Sequence, residues 1–194
     1  ARELLQEKEA LSIIQEEMIP ALDVVGKRFE EGTLFLPQLL MSAEAAKAAF
    51  DVIKDQMASE GQGQEKKGTV ILATVKGDIH DIGKNIVKVL LENYSFEGID
   101  LGKDVPPETV ADRAKKGHIS LVGLSALMTT TVPSMEETIK LLRKEAPWAK
   151  VMVGGAVLTE EYARTIGADR YCRDGMASVK YAEEIFSAEK TSEG

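Results

Sequence analysis

The sequence predicts an α/β protein, a small N-terminal helical bundle followed by an open, five-stranded parallel sheet. Apolar residues recur at helical spacing across residues 11–57. A polar, glycine-rich stretch then breaks all periodicity. Beyond it, short β-branched apolar runs alternate five times with amphipathic segments, the pattern of parallel strands joined by helical crossovers.

Taken in order, residues 1–9 read as the tail of an earlier helix. Ile13, Ile14, Met18, Leu22, Val25 and Phe29 form one apolar stripe. Leu36, Leu39, Leu40, Ala43, Ala46, Phe50 and Ile53 form a second. Gly32 suits a helix stop between them, and Pro37 the first turn of the next helix. The helical unit is expected over 1–60, as an antiparallel bundle whose first helix is truncated. Residues 58–68 (ASEGQGQEKKG) lack periodicity, and 61–68 are expected to be the linker. Residues 69–75 (TVILATV) form a continuous apolar run, as a strand buried on both faces requires. Further strands are expected at 96–101, 120–125, 150–153 and 170–172, and helices at 82–93, 107–116, 135–145, 160–166 and 177–187. The α/β domain thus spans 69–188, with a tail at 189–194. Right-handed crossovers place the loops after the strands on one edge, where ligands bind at the point at which strand order reverses.

Composition narrows the functions. Of 194 residues, 44% are apolar, 29% charged and only 5% aromatic, so the core is built from aliphatic side chains. A net charge of −8 spread along the chain argues against binding nucleic acid. Cys172 is the sole cysteine, which excludes an internal disulfide and paired-cysteine zinc sites and fits a reducing cytoplasm, the expected location. No apolar run approaches the ~20 residues needed to span a bilayer, so no membrane role is expected. The chain starts at Ala1, inside a helical pattern, and reads as a fragment of a longer polypeptide.

The loop after the first expected strand is KGDIHDIGKN, residues 76–85. Phosphate-binding turns commonly occupy this place, yet the loop is neither Gly-x-Gly-x-x-Gly nor a Walker A sequence. Instead Asp78 stands two residues before His80, with Gly83 three after it. Side chains two apart on an extended loop share a side, so Asp78 can bond one ring nitrogen of His80, fixing its tautomer and leaving the other nitrogen for a metal. Gly83 permits close approach of the backbone to a bulky ligand. Asp81 could equally cap the following helix.

Asp78-Ile79-His80-Asp81-Ile82-Gly83 resembles the Asp-x-His-x-x-Gly signature of B12-binding domains. The run from Gly123 through Ser125, Leu127 and Thr129 to Thr131, and the pair Gly154-Gly155, resemble matching segments of cobalamin-dependent methionine synthase and of small corrinoid proteins. Residues 25–38, including Phe29, Gly32, Leu36, Pro37 and Gln38, resemble that family's helical cap. The resemblance implies a Rossmann-like (flavodoxin-like) sheet domain holding cobalamin. It implies His80 as the lower axial ligand to cobalt in place of dimethylbenzimidazole, with Asp78 and Thr131 completing a ligand triad. Gly77, Ile79, Asp81, Ile82 and Gly83 of the ligand loop and Leu127 would also bind the cofactor, and Ser125 and Thr129 would meet its nucleotide tail or the buried benzimidazole. Gly154 and Gly155 would leave a slot for that tail, and Phe29 and Leu36 would shield the methyl group. The implied cofactor is methylcobalamin, passing through cob(I) and cob(II) forms. The implied partners are methyl-donor and methyl-acceptor methyltransferase domains or subunits and a reductive reactivation partner, because the chain carries no donor or acceptor site of its own. It is not expected to be a complete catalyst alone.

Three settings share this loop. The leading expectation is a fragment of methionine synthase, moving a methyl group from methyltetrahydrofolate to homocysteine. The alternatives are a stand-alone corrinoid protein of a methanol, methylamine or O-demethylase system, and an adenosylcobalamin-binding sensor module. His118, Cys172 and Trp148 read as a solvated loop residue, a core residue and boundary packing, respectively.

Overall fold

The computed structural model describes residues 1–60 and 66–192 and divides into two compact units, Ala1–Gln64 and Glu65–Gly194. Most of the expected linker, residues 61–65, and the end of the expected tail, 193–194, lie outside the described residues.

In the helical unit, residues 1–9 are not a helix tail. A single 3-10 turn (Leu4–Gln6) is followed by an extended Glu9, with φ −63° and ψ 143°. The chain bends there, which brings the Lys8 ammonium to 3.1 Å from Glu16 and 2.8 Å from Glu17. Helix α1 (Ala10–Ile13) then passes through a π turn (Ile14–Met18) into α2 (Ile19–Glu30). Pro20 accounts for the wide turn: it has no N–H for the Glu16 carbonyl, and the Ile19 N–H reaches back five residues to Ile14. Past α2, the Gly32 N–H bonds Phe29 and the Thr33 N–H bonds Arg28, closing the helix where Gly32 was expected to stop it. Helix α3 (Leu36–Glu60) opens with Pro37 in its first turn. The Gln38 side-chain oxygen accepts the Phe35 N–H at 2.9 Å, the reach-back half of a capping box.

Ile13, Ile14 and Met18 are buried, as are Phe50 and Ile53, but the two apolar stripes are only partly covered. Phe29 and Leu36 remain exposed, together with Val24, Phe35 and Met41.

The second unit is the expected α/β domain. Its elements are β1 (Thr69–Thr74), α4 (Ile82–Asn93), β2 (Glu97–Asp100), α5 (Pro107–Gly117), β3 (Leu121–Ser125), α6 (Val132–Glu145), β4 (Lys150–Gly154), α7 (Glu160–Thr165), β5 (Arg170–Tyr171) and α8 (Gly175–Ser192). All pairings are parallel and the strand order is β2-β1-β3-β4-β5. β1 is buried along nearly its whole length, as its unbroken apolar run requires. Its core partners are aliphatic, among them Val122, Leu124, Val151 and Val153, packed with Met135, Ile139 and Leu142 of α6. Helix α6 begins three residues earlier than expected, because Pro133 favours its first turn directly after a 3-10 turn (Thr129–Thr131).

Sheet order reverses between β1 and β3, and the register places Thr74 beside Ser125 and Ser125 beside Gly154. Three strand ends therefore stand level at the carboxyl edge, and the loops after β1 and β3 emerge side by side.

Candidate functional site

The loop after β1 turns sharply at Gly77, whose φ of +85° is open chiefly to glycine. The turn is closed by the Asp78 N–H on the Val75 carbonyl at 3.0 Å. It sends the Asp78 side chain inward, where it is 0% exposed, and leaves Ile79 and His80 at the surface.

The Asp78 carboxylate joins two loops. Oδ1 accepts from the His80 backbone N–H at 3.0 Å and lies 2.9 Å from His80 Nδ1. Oδ2 accepts from the loop after β3, namely Leu127 N–H at 2.7 Å, Met128 N–H at 3.2 Å and the Thr131 hydroxyl at 2.8 Å. The Thr131 hydroxyl also lies 2.8 Å from the Met128 carbonyl, which fixes its rotamer. Burial pushes the Asp78 pKa up, but bonds from the His80 and Leu127 amides, the His80 ring and the Thr131 hydroxyl outweigh it and hold the pKa at about 2. The group is thus an anion at any physiological pH. An anion on Nδ1 makes that nitrogen the protonated one, so the Nε2 lone pair of the partly exposed His80 is free to ligate.

Among the described residues, no three His, Cys, Asp or Glu side chains group to hold a bare ion. A lone imidazole suits a metal that brings most of its other ligands in its own chelate, and the surroundings fit such a group. Ile79 (62% exposed) and Leu127 (43% exposed) present apolar side chains beside His80, and a Cβ at Gly83 would meet no protein atom. The acid, imidazole and hydroxyl expected from the sequence are thus brought together.

The remaining expected residues fall into four sets. Ser125 lies at the end of β3, with its hydroxyl 2.9 Å from that of Thr74, a buried residue that the sequence reading missed. Thr129 is exposed one turn before α6. Asp81 occupies the N-cap position of α4 without a side-chain capping bond, and Ile82 begins that helix. At Gly155, φ is +138° and a Cβ would lie 1.8 Å from the Ala126 carbonyl oxygen, while a Cβ on Gly154 would lie 3.1 Å from that of Cys172. The steric demand at both glycines comes first from the protein's own backbone. Phe29 and Leu36 belong to the helical unit and are exposed there.

The loop after β2 also reaches the site, and no local pattern announced it. Asp104 Oδ1 accepts the Gly77 N–H at 2.7 Å, and the Asp104 N–H bonds the Asp78 carbonyl at 2.9 Å. Lys84, 2% exposed, places its ammonium 2.6 Å from Asp100 and 2.6 Å from Asn85, tying the first turn of α4 to the end of β2. His118 stacks on Trp148 with centroids 4.4 Å apart, and Cys172 is buried.

Residues 68–188 match a family described as B12 binding domain, and residues 1–54 match a second family of the same description. Dimethylamine corrinoid protein 3 of Methanosarcina mazei is 43% identical over 168 residues, 86% of this chain and 100% of its own length. Trimethylamine corrinoid protein 1 of the same species is 38% identical over 177 residues, 89% of this chain and 82% of its own. Among solved structures, the monomethylamine corrinoid protein of Methanosarcina barkeri superposes with a TM-score of 0.84 at 31% identity, covering 95% of this chain and 87% of that one. The methanol:cobalamin methyltransferase complex from that organism gives a TM-score of 0.62 at 30% identity, covering 93% of this chain and 69% of its own.

Proposed function

The chain belongs to the B12-binding corrinoid proteins of methyltransferase systems, with a corrinoid as its cofactor, and we propose that it is the methyl-carrying subunit of a methylamine-type system. The observation that carries this reading is His80, its Nδ1 tied to a buried carboxylate, in a chain that dimethylamine corrinoid proteins match over most of its length. These relatives favour the stand-alone corrinoid protein over the methionine synthase fragment expected first, and neither methyltetrahydrofolate nor homocysteine is retained as donor or acceptor.

When bound, the corrinoid supplies a cobalt that accepts and gives up a methyl group. The chain's own residues prepare that exchange. His80 would hold the cobalt through Nε2. Asp78 keeps the ring in the tautomer that leaves Nε2 free to ligate. Thr131 and the Leu127 and Met128 amides hold the carboxylate, so a shift in the loop after β3 is felt at the imidazole. Ser125, braced by Thr74, and exposed Thr129 would contact the nucleotide tail. Exposed Ile79 and Leu127 give apolar surface to the macrocycle. Phe29 and Leu36, exposed on the helical unit, would shield the methyl group. Methyl transfer itself would be catalysed by a separate methylamine methyltransferase on the donor side and another methyltransferase on the acceptor side, with a reductase restoring oxidised cobalt. Among the described residues, no helix is long and apolar enough to cross a membrane.

The test loads the apo-protein with cob(II)alamin and records its electron paramagnetic resonance beside His80→Ala. Superhyperfine splitting from an imidazole nitrogen, lost in the variant, is expected. Reduced, loaded protein is then mixed separately with monomethylamine, dimethylamine or trimethylamine and the matching methyltransferase. Rapid methylation with one amine is expected. Methylation only by methyltetrahydrofolate, with a methionine synthase catalytic fragment, would restore the rejected setting.

A further inference from the structure

We infer that Asp104, on the loop after β2, is a positioning residue for His80. The inference rests on the reading of His80 as the cobalt ligand and adds a third loop to its support.

The loop after β2 does not leave the sheet when β2 ends. The Leu101 N–H bonds Leu72, the Thr74 N–H bonds Gly102, and the Val105 N–H returns to Thr74 at 3.1 Å, so the chain tracks β1 to its last residue. Val75 and Val105 then pair as an isolated parallel bridge. Between them Asp104 adopts φ +54°, in the left-handed region that few residues other than glycine and asparagine enter readily. That conformation aims both of its polar groups at one place. Its carboxylate takes the Gly77 N–H at 2.7 Å, and its N–H takes the Asp78 carbonyl at 2.9 Å.

Asp104 therefore grips the stretch around the Gly77–Asp78 peptide bond, the hinge of the ligand loop. Asp78 is the residue whose carboxylate orients the imidazole, and Gly77, with φ +85°, is the loop's freest backbone position. From the other side, the loop after β3 holds only the Asp78 side chain. Side chain and backbone of Asp78 are thus restrained by different loops, and both restraints are needed to fix where Nε2 points. Without the Asp104 carboxylate, the Gly77 N–H loses its acceptor, and the Asp78 backbone is held only by the Asp104 N–H on its carbonyl and by its own N–H on Val75.

The test compares Asp104→Gly, which keeps the backbone conformation and deletes the acceptor, with Asp104→Asn, which keeps both an acceptor oxygen and tolerance of the left-handed region. Two readouts are taken. In apo-protein, hydrogen exchange of the Gly77 amide by NMR reports the clamp directly. In cob(II)-loaded protein, the fraction of spins carrying imidazole splitting reports the ligand. The glycine variant is expected to exchange Gly77 about tenfold faster and to lower the ratio of histidine-bound to histidine-free cobalt about tenfold, the loss of one charge-assisted bond discounted for exposure. The asparagine variant is expected to recover both. Imidazole splitting that persists unchanged in Asp104→Gly, whatever the exchange rate, overturns the inference alone. So does an asparagine variant that recovers neither signal. Wild-type protein without any imidazole splitting removes His80 as ligand, and the inference with it.

Discussion

Replacing Asp78 by asparagine tests the site at its most constrained atom pair. The carboxylate takes five donors: two on Oδ1 from His80, and three on Oδ2 from Leu127, Met128 and Thr131. An amide can serve only one of these groups. With its oxygen at the Oδ2 position it keeps the three bonds to the loop after β3. Its NH2 then faces the His80 amide, which is left unpaired, and forces the ring proton from Nδ1 to Nε2. The variant thus loses the ligating lone pair as well as stability. Bonds to a charged acceptor contribute ~1.5–3 kcal/mol each, and a stranded buried donor costs a comparable amount, so a loss of about 3 kcal/mol is expected. For a domain of this size that lowers the melting temperature by about 10 °C. The pH dependence follows from a folded-state pKa of about 2, below the ordinary 3.8. A depressed carboxyl stabilises the fold fully above its unfolded pKa and loses that contribution, about 2 kcal/mol, as pH falls through the folded value. Asparagine lacks the contribution altogether. Thermal melts of the apo-proteins should therefore differ by a constant margin from pH 7 to pH 5, and the margin should narrow between pH 4 and pH 2. An Asp78→Asn protein that melts within about 2 °C of wild type at pH 7 and keeps full imidazole splitting with cob(II)alamin would refute the reasoning.

Thr131→Val removes one donor from Asp78 Oδ2 but leaves two amides on it, so a loss of about 1 kcal/mol is expected. Thr131→Ser should sit near wild type, both read by apo melting. Gly155→Ala drives a Cβ to 1.8 Å from the Ala126 carbonyl oxygen at φ +138°. Soluble yield should collapse, or stability fall by more than ~4 kcal/mol in a urea titration. Asp100→Leu leaves the Lys84 ammonium, 2% exposed, without its counter-charge and facing only the neutral Asn85 oxygen, whereas Lys84→Met leaves a carboxylate 28% exposed and able to find water. The first should cost ~3 kcal/mol and the second ~1–2, and equal melting temperatures would show that the pair is not effectively buried.

Asp78 and His80 were legible because an acid and an imidazole two residues apart need only an extended loop to meet, and the strands because burial on both faces announces itself by continuous apolar runs. Thr131 was placed beside them only by the resemblance to B12-binding domains. Asp104, Lys84 with Asp100, and Thr74 with Ser125 were not legible, for one shared reason. Each pair or clamp joins neighbours across the sheet, and neither strand order nor register is encoded in local periodicity. The order β2-β1-β3 puts the loops after β2 and β3 on opposite sides of the ligand loop, and only then does Asp104 acquire something to hold.

Periodicity has a second blind spot. It reports that a face is apolar without saying what covers it, so Phe29 and Leu36 were counted in stripes with Ile14 and Ile53, although the former two are exposed and the latter two are buried. The glycines show the converse. Gly155 was read as making room for a ligand, yet its Cβ position is already filled by the Ala126 carbonyl. That carbonyl belongs to the loop whose next amides, at Leu127 and Met128, hold Asp78. A residue expected to act on the cofactor by leaving space thus also acts through the backbone, by letting the loop after β3 lie close against the end of β4. From there the path to the imidazole is short: Gly155 seats the loop, the loop holds Asp78, and Asp78 sets the ring. Fold and ligand geometry are consequently not separable at this edge of the sheet. A substitution that loosens any of the three loops should register at His80 before it registers as global unfolding.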